Sequence, residues 1–283
     1  NYVLKRIEPN SMYDICDSQN CQAYLGMDAE TPTTIRAVEE TRGLVATYLG
    51  EMITAYYSAN AGDATVSSGD VWGMPIPYLN SVASPHDAEA LCVAWGSYGY
   101  RWRRIITVHS LAGIQTGEGG VLGTLTDVRV LRTSRIGRPL DVRLEGEQGT
   151  LVLSGDRIRT VLNIPSAFAE FEIAPTKSLV LLNPSPRRGA SLLRQGYVLE
   201  SRRRSLAFEW APPDIRLERG SLSIIEFFLP ARVVVYGRGV GHGVGMSQWG
   251  AQGLALEGHS FIEILSHYYQ GIEVQPLETS GVR

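Results

Sequence analysis

Between residues 237 and 245 glycine occupies every second position, at Gly237, Gly239, Gly241, Gly243 and Gly245, directly after the β-branched run 231–236. The run reads as a strand, because β-branched side chains suit a pleated surface and successive side chains point to opposite faces. An extended continuation places Arg238, Val240, His242, Val244 and Met246 on one face and bare main chain on the other. A glycan or a second backbone can approach such a bare side closely. His242 is then presented from a narrow strip.

Two helices are expected next. Residues 247–256 have small residues at helical apolar spacing and end at Gly258, a natural C-terminal cap. Ser260 and Glu263 form a Ser-x-x-Glu capping box, Phe261, Ile264, Leu265 and Tyr268 supply a buried stripe, and Gly271 ends the helix.

Upstream, residues 1–7 read as the end of a helix interrupted by Pro9, and 37–41 as a helical turn. Residues 43–57 alternate around Gly50 as a hairpin leading into a strand. Residues 101–229 hold short strand-like runs, at 140–144, 150–153, 179–182 and 223–229, separated by turn residues such as Gly137, Gly146 and Gly155. The fold class expected is α+β: a mixed sheet core with a few helices, built from 1–97 and 231–283, with 98–230 as a β-rich accessory lobe.

Several function classes are excluded or disfavoured. The 283 residues carry a formal net charge of −3, with lysine only at Lys5 and Lys177, so no overall basic field points to nucleic acid. No stretch approaches the roughly 18 consecutive apolar residues of a membrane span, and 1–8 lacks the charged and apolar regions of a signal peptide. No glycine triplet in 237–253 satisfies G-x-G-x-x-G, which rejects a dinucleotide site. His259 and His267 stand eight residues apart without a third ligand at metal spacing, so no metal site is assigned to them. Of three cysteines, Cys16 and Cys21 lie close enough for a local disulfide or half a metal site, or they are two free thiols; Cys92 reads as a buried thiol.

The segment Gly237-Arg-Gly-Val-Gly-His-Gly-Val-Gly-Met-Ser-Gln-Trp-Gly-Ala-Gln-Gly253, followed by Tyr268-Tyr269-Gln270-Gly271, resembles the C-terminal signature of the sporulation stage II protein D (SpoIID) family. Two further blocks agree in order. One is Tyr13-Asp-Ile-Cys-Asp-Ser-Gln-Asn-Cys-Gln-Ala-Tyr24. The other comprises Thr41-Arg42-Gly43, Ala55-Tyr56-Tyr57-Ser58 and Asp70-Val71-Trp72-Gly73.

The resemblance implies an exported bacterial cell-wall protein, in the periplasm, envelope or outside the cell. It would act on peptidoglycan glycan strands as a lytic transglycosylase or as an enhancer of a cell-wall amidase. Transglycosylase cleavage needs one carboxylic acid, which protonates the leaving oxygen and then takes the proton of the sugar's own 6-hydroxyl as that oxygen attacks the anomeric carbon, leaving a 1,6-anhydro end. The family's acid is a glutamate in a Ser-Glu-Met-like segment with no counterpart here. The catalytic residue is therefore left unassigned and expected upstream of Asn1. Glu51 matches only in spelling, at a hairpin turn. Substrate contacts are expected from Tyr56, Tyr57, Ser58, Asp70, Trp72, His242, Ser247 and Gln248, since aromatic faces suit sugar rings and polar groups bond hydroxyl and acetamido groups. Some family members bind zinc through the first cysteine block. Asn20 stands here where a histidine commonly precedes the second cysteine, which favours a Cys16–Cys21 disulfide over zinc and no cofactor.

Overall fold

The computed structural model describes residues 26–89, 100–117, 119–174, 177–183, 198–201, 204–207, 223–229 and 231–277. The expected N-terminal helix end, Cys16, Cys21 and Cys92 lie outside them.

Helix α1 (Pro32–Glu40) starts five residues before the expected turn, because Thr31 caps it through a reciprocal pair with Thr34 and Pro32 fills the first helical position. The hairpin β1 (Leu44–Tyr48) and β2 (Glu51–Met52) follows. Its turn residues Leu49 and Gly50 both have positive φ, 51° and 83°, as a twist-matched two-residue turn requires. Next come β3 (Tyr57–Ser58), β4 (Asp63–Ala64), the short helix α2 (Ser68–Trp72) and β5 (Ala83–Ser84), which runs into a 3-10 turn at Pro85–Glu89.

The middle of the chain supplies β6 (Arg101–Thr107), β7 (Leu125–Thr133), β8 (Pro139–Gly146), β9 (Thr150–Ser154), helix α3 (Arg157–Leu162) and β10 (Ala169–Ala174). It continues with β11 (Lys177–Asn183), β12 (Val198–Ser201), β13 (Arg204–Ala207) and β14 (Ser223–Leu229). The last segment holds β15 (Arg232–Arg238), β16 (Met246–Ser247), α4 (Gln248–Leu256), α5 (Phe261–Tyr268) and β17 (Glu273–Pro276). Small sheets and short helices mix throughout, so the fold is α+β as the sequence implied. No helix among the described residues is long and apolar enough to cross a membrane.

Both chain regions share sheets. Strand β15 is the centre of an antiparallel sheet ordered β10-β15-β6, so the C-terminal segment threads between two middle strands. Strand β17 returns to pair with β1, and β16 lies parallel to β3 with Met246 opposite Tyr57 and Ser247 opposite Ser58.

Two apolar clusters hold the described residues. The first joins Trp102, Val142, Leu144, Leu153, Ile158, Val233 and Val235; the second joins Ile53, Val66, Val71, Leu79, Val244, Ile264, Tyr268 and Tyr269. They meet on β8, whose Leu140 belongs to the second cluster while Val142 and Leu144 belong to the first. Burying such side chains stabilises the fold by roughly 1.5–3 kcal/mol each. That shared strand carries the β7–β8 and β9–α3 turns toward the glycine-rich segment.

Candidate functional site

The extended reading of the glycine segment holds only as far as Arg238. Gly239, Gly241, Gly243 and Gly245 have φ of 75°, 105°, 75° and 74°, a left-handed conformation open to glycine and costly to L side chains. The segment is therefore a looped ribbon, and the simple two-face alternation does not apply to it.

Its bare side is not an open lane. A Cβ on Gly237 would stand 2.1 Å from the Trp102 ring, one on Gly239 2.8 Å from the Asn60 carbonyl, and one on Gly241 2.8 Å from Ser58 Cβ. At Gly243 it would meet Arg138 Nη1 at 2.3 Å, and at Gly245 the Tyr56 carbonyl oxygen at 2.0 Å. The protein's own chain fills the space, and the lane expected to seat a glycan is corrected on that ground. The glycines let the 56–66 loop pack onto the ribbon. Val240 and Asn60 exchange main-chain hydrogen bonds of 2.8 and 3.1 Å, Val66 N–H donates to the Gly243 carbonyl, and Met246 N–H donates to that of Tyr56.

What the ribbon presents is His242. Its ring centroid lies 5.3 Å from that of Trp72 and 6.5 Å, edge-on, from that of Tyr56, whose ring is in turn 4.7 Å from Trp72. Three expected residues, from the loop before β3, the end of α2 and the glycine ribbon, thus converge on one aromatic cluster. Tyr56 is 38% exposed, so the cluster has an open face. Trp72 is aimed by α2, which Ser67 caps and Gly73, in the left-handed conformation, ends.

His242 is neutral at pH 7. Burial, aided by Arg138 and Arg159 and opposed by Asp156, pushes its pKa down to about 4. Val244 N–H donates to its Nδ1 at 3.0 Å, which leaves the single ring proton on Nε2. That proton is engaged by the Tyr57 main chain, so the imidazole offers the cluster an aromatic edge.

The other expected contacts divide. Asp70 shares α2 with Trp72 and is partly exposed, and Gln248 opens α4, also partly exposed. Tyr57 lies in β3, where burial raises its phenol. Ser58 and Ser247 are buried in the β3–β16 pair. Ser247 donates to Asp87 and accepts the Gly250 N–H, capping α4. These two hydroxyls face the interior and do not join the aromatic cluster.

Three polar residues were not anticipated. Asp156, in the Gly155–Asp156 turn after β9, is held by Arg159 through bonds of 2.9 and 2.8 Å, and both act electrostatically on His242. Although burial raises the Asp156 carboxyl, Arg159 outweighs it and the pKa lies below the usual carboxylate range. Asp156 is thus ionised at neutral pH, the opposite of what a proton donor needs. Arg138, next to Pro139 at the start of β8, is the third. The only sequence signals for these residues were the turn glycines Gly137 and Gly155, which mark chain reversals without saying what they face.

The SpoIID model, described as stage II sporulation protein, matches residues 1–48. Three relatives extend the likeness over most of the chain. An uncharacterized protein of Brachyspira hyodysenteriae is 24% identical over 262 residues, 93% of this chain and 54% of its own length. A stage II sporulation protein D of Bacillus amyloliquefaciens is 25% identical over 247 residues, covering 86% and 51%. An amidase enhancer of Bacillus subtilis is 24% identical over 266 residues, covering 90% of this chain and 34% of its own length. The chain is thus similar to stage II sporulation protein D over most of its length. It spans about half the length, or less, of these relatives. Within this chain the glycine ribbon is a packing device, and the aromatic cluster beside it is the candidate binding surface.

Proposed function

We propose that this chain, like the SpoIID proteins it resembles, is the glycan-binding core of an exported peptidoglycan lytic transglycosylase, and that the strand docks on the Tyr56–Trp72–His242 cluster. The observation that carries the reading is the convergence of three rings from three separate elements around a partly exposed face. The apolar C–H face of a pyranose packs on such rings.

A second reading, a non-catalytic glycan binder that enhances a cell-wall amidase, has its own support. One relative is named an amidase enhancer, and the carboxylate beside the cluster is held ionised by Arg159.

One experiment bears on both. Full-length protein is incubated with stem-peptide-free glycan strands, and mass spectrometry looks for 1,6-anhydro-muramyl ends while calorimetry follows binding. Anhydro ends support the transglycosylase, and binding without them supports the second reading. Tyr56→Ala removes the ring but leaves the buried main-chain carbonyl in place, so the fold should persist while glycan affinity drops about tenfold, on the order of 1.4 kcal/mol. Unchanged affinity in a folded Tyr56→Ala protein removes the cluster from both readings.

A further inference from the structure

Arg138 carries a charge that its surroundings do not answer. It closes the turn between β7 and β8, where Ser134 N–H donates to its carbonyl at 2.8 Å. The residue is 2% exposed, and its Nη2 has no hydrogen-bond partner among the described residues. A guanidinium taken out of water is ordinarily paired, because desolvating an unpaired cation is strongly unfavourable. Nη1 lies where a side chain at position 243 would begin, directly under the ribbon that presents His242.

Asp156, the carboxylate that acts on Arg138, is committed to Arg159 through both of its oxygens. Asp70, on the neighbouring α2, acts instead on Arg132, which is already paired with Asp141. His242 contributes no charge at neutral pH. At the polar end of the aromatic cluster, two guanidinium groups therefore stand against one carboxylate. The Arg159 and Asp156 side chains keep 31% and 25% of their surface exposed, so this end is open to a ligand.

We infer that the polar end of the Tyr56–Trp72–His242 cluster is an anion subsite. It takes a carboxylate carried by a sugar of the bound strand, with Arg159 as the exposed contact and Arg138 as the buried source of uncompensated positive charge. The inference rests on the glycan-binding reading and adds a preference to it. A carboxylate arriving on the Arg159 edge forms charge-assisted hydrogen bonds there and answers the field of Arg138 through a poorly screened interior. In a bacterial wall strand the group of this chemistry is the lactyl carboxylate of N-acetylmuramic acid. A strand of N-acetylglucosamine alone offers none.

The test titrates the full-length protein with two probes of equal length, by calorimetry at low salt. One is chitotetraose, which is neutral. The other is an alternating tetrasaccharide of N-acetylglucosamine and N-acetylmuramic acid with free carboxylates. The acidic probe should bind about tenfold more tightly, with the preference shrinking as salt is raised. Arg159→Gln and Arg138→Gln should each bring the ratio of the two affinities toward one. Should Arg138→Gln fail to fold, Arg159→Gln and the salt series carry the test. Equal affinities in the unmodified protein, or an unchanged ratio in Arg159→Gln, overturn the anion subsite and leave glycan binding standing. Failure of both probes to bind removes the glycan reading and the subsite together.

Discussion

Replacing Gly245 by alanine should lower the stability of the fold by about 2–5 kcal/mol, a large share of the roughly 5–15 kcal/mol that holds a domain together. Two effects add. A Cβ in the left-handed conformation found here, φ 74°, costs about 1–2 kcal/mol. The same Cβ would stand 2.0 Å from the Tyr56 carbonyl oxygen, which already accepts hydrogen bonds from Met246 N–H and the Tyr269 hydroxyl. That oxygen cannot move aside without breaking both bonds, so overpacking adds about 1–3 kcal/mol. Gly50→Ala is the control. Its φ of 83° carries a similar conformational cost, yet nothing lies within 4 Å of the new Cβ. Thermal unfolding should separate the two, with Gly245→Ala losing several degrees more than Gly50→Ala. Equal losses would show that the main-chain contact contributes nothing and that positive φ alone explains the ribbon's glycines.

The second large effect is expected at Asp87. Its carboxylate is fully buried at the N-terminus of α4, where it accepts from the Ser247 hydroxyl and is supported by Ser84. Ser84 in turn bonds the Tyr268 hydroxyl at 2.7 Å, and Gly250 closes the space, since a Cβ there would meet Tyr268 and Ser84 at 2.1 and 2.2 Å. Asp87→Ala leaves the Ser247 and Ser84 hydroxyls in a cavity without their acceptor, and denaturant unfolding should record a loss of about 3 kcal/mol.

The pH dependence of this site has a definite sign. Burial raises the Asp87 pKa, against the lowering effect of Ser247 and Ser84, so the folded state holds the proton more tightly than the unfolded state. The group's contribution to stability is therefore greatest below the ordinary carboxyl range and declines as pH rises from that range through the raised value. Asp87→Asn removes the titration. The stability difference between the unmodified protein and Asp87→Asn should fall with rising pH across that window and then level off. A difference that grows with pH would contradict a raised pKa at Asp87.

The hairpin about Gly50, the capping box of Ser260 and Glu263, and strands β8, β9, β14 and β15 were legible because their causes are local. Turn chemistry, cap hydrogen bonds and side-chain period act within a few residues. The helix at Pro32–Glu40 was only half read, although its Thr31-Pro32 start signal is also local. The alternating glycines were legible as a close approach of something to bare backbone, but a sequence does not say what approaches. Hydrogen at Cα is required equally by a sugar and by the protein's own Tyr56 carbonyl, Asn60 carbonyl or Arg138 guanidinium. Only the tertiary arrangement separates these cases.

The site divides along the same line. Tyr56, Trp72 and His242 stood out as residue types suited to sugars, and the aromatic cluster was thus readable as a set of candidates. Ser58 and Ser247 matched by type as well, yet the parallel β3–β16 pairing turns both inward. Asp156, Arg159 and Arg138 were invisible, because their positions depend on where two turns of a three-stranded sheet land against a ribbon about a hundred residues away. By itself, then, the sequence determined the family signature, the α+β composition and which positions must be glycine, all properties of local chemistry. Tertiary structure alone decided that the chain itself fills the glycine side and that the charge at the rim is unbalanced, since both depend on contacts between segments far apart in sequence.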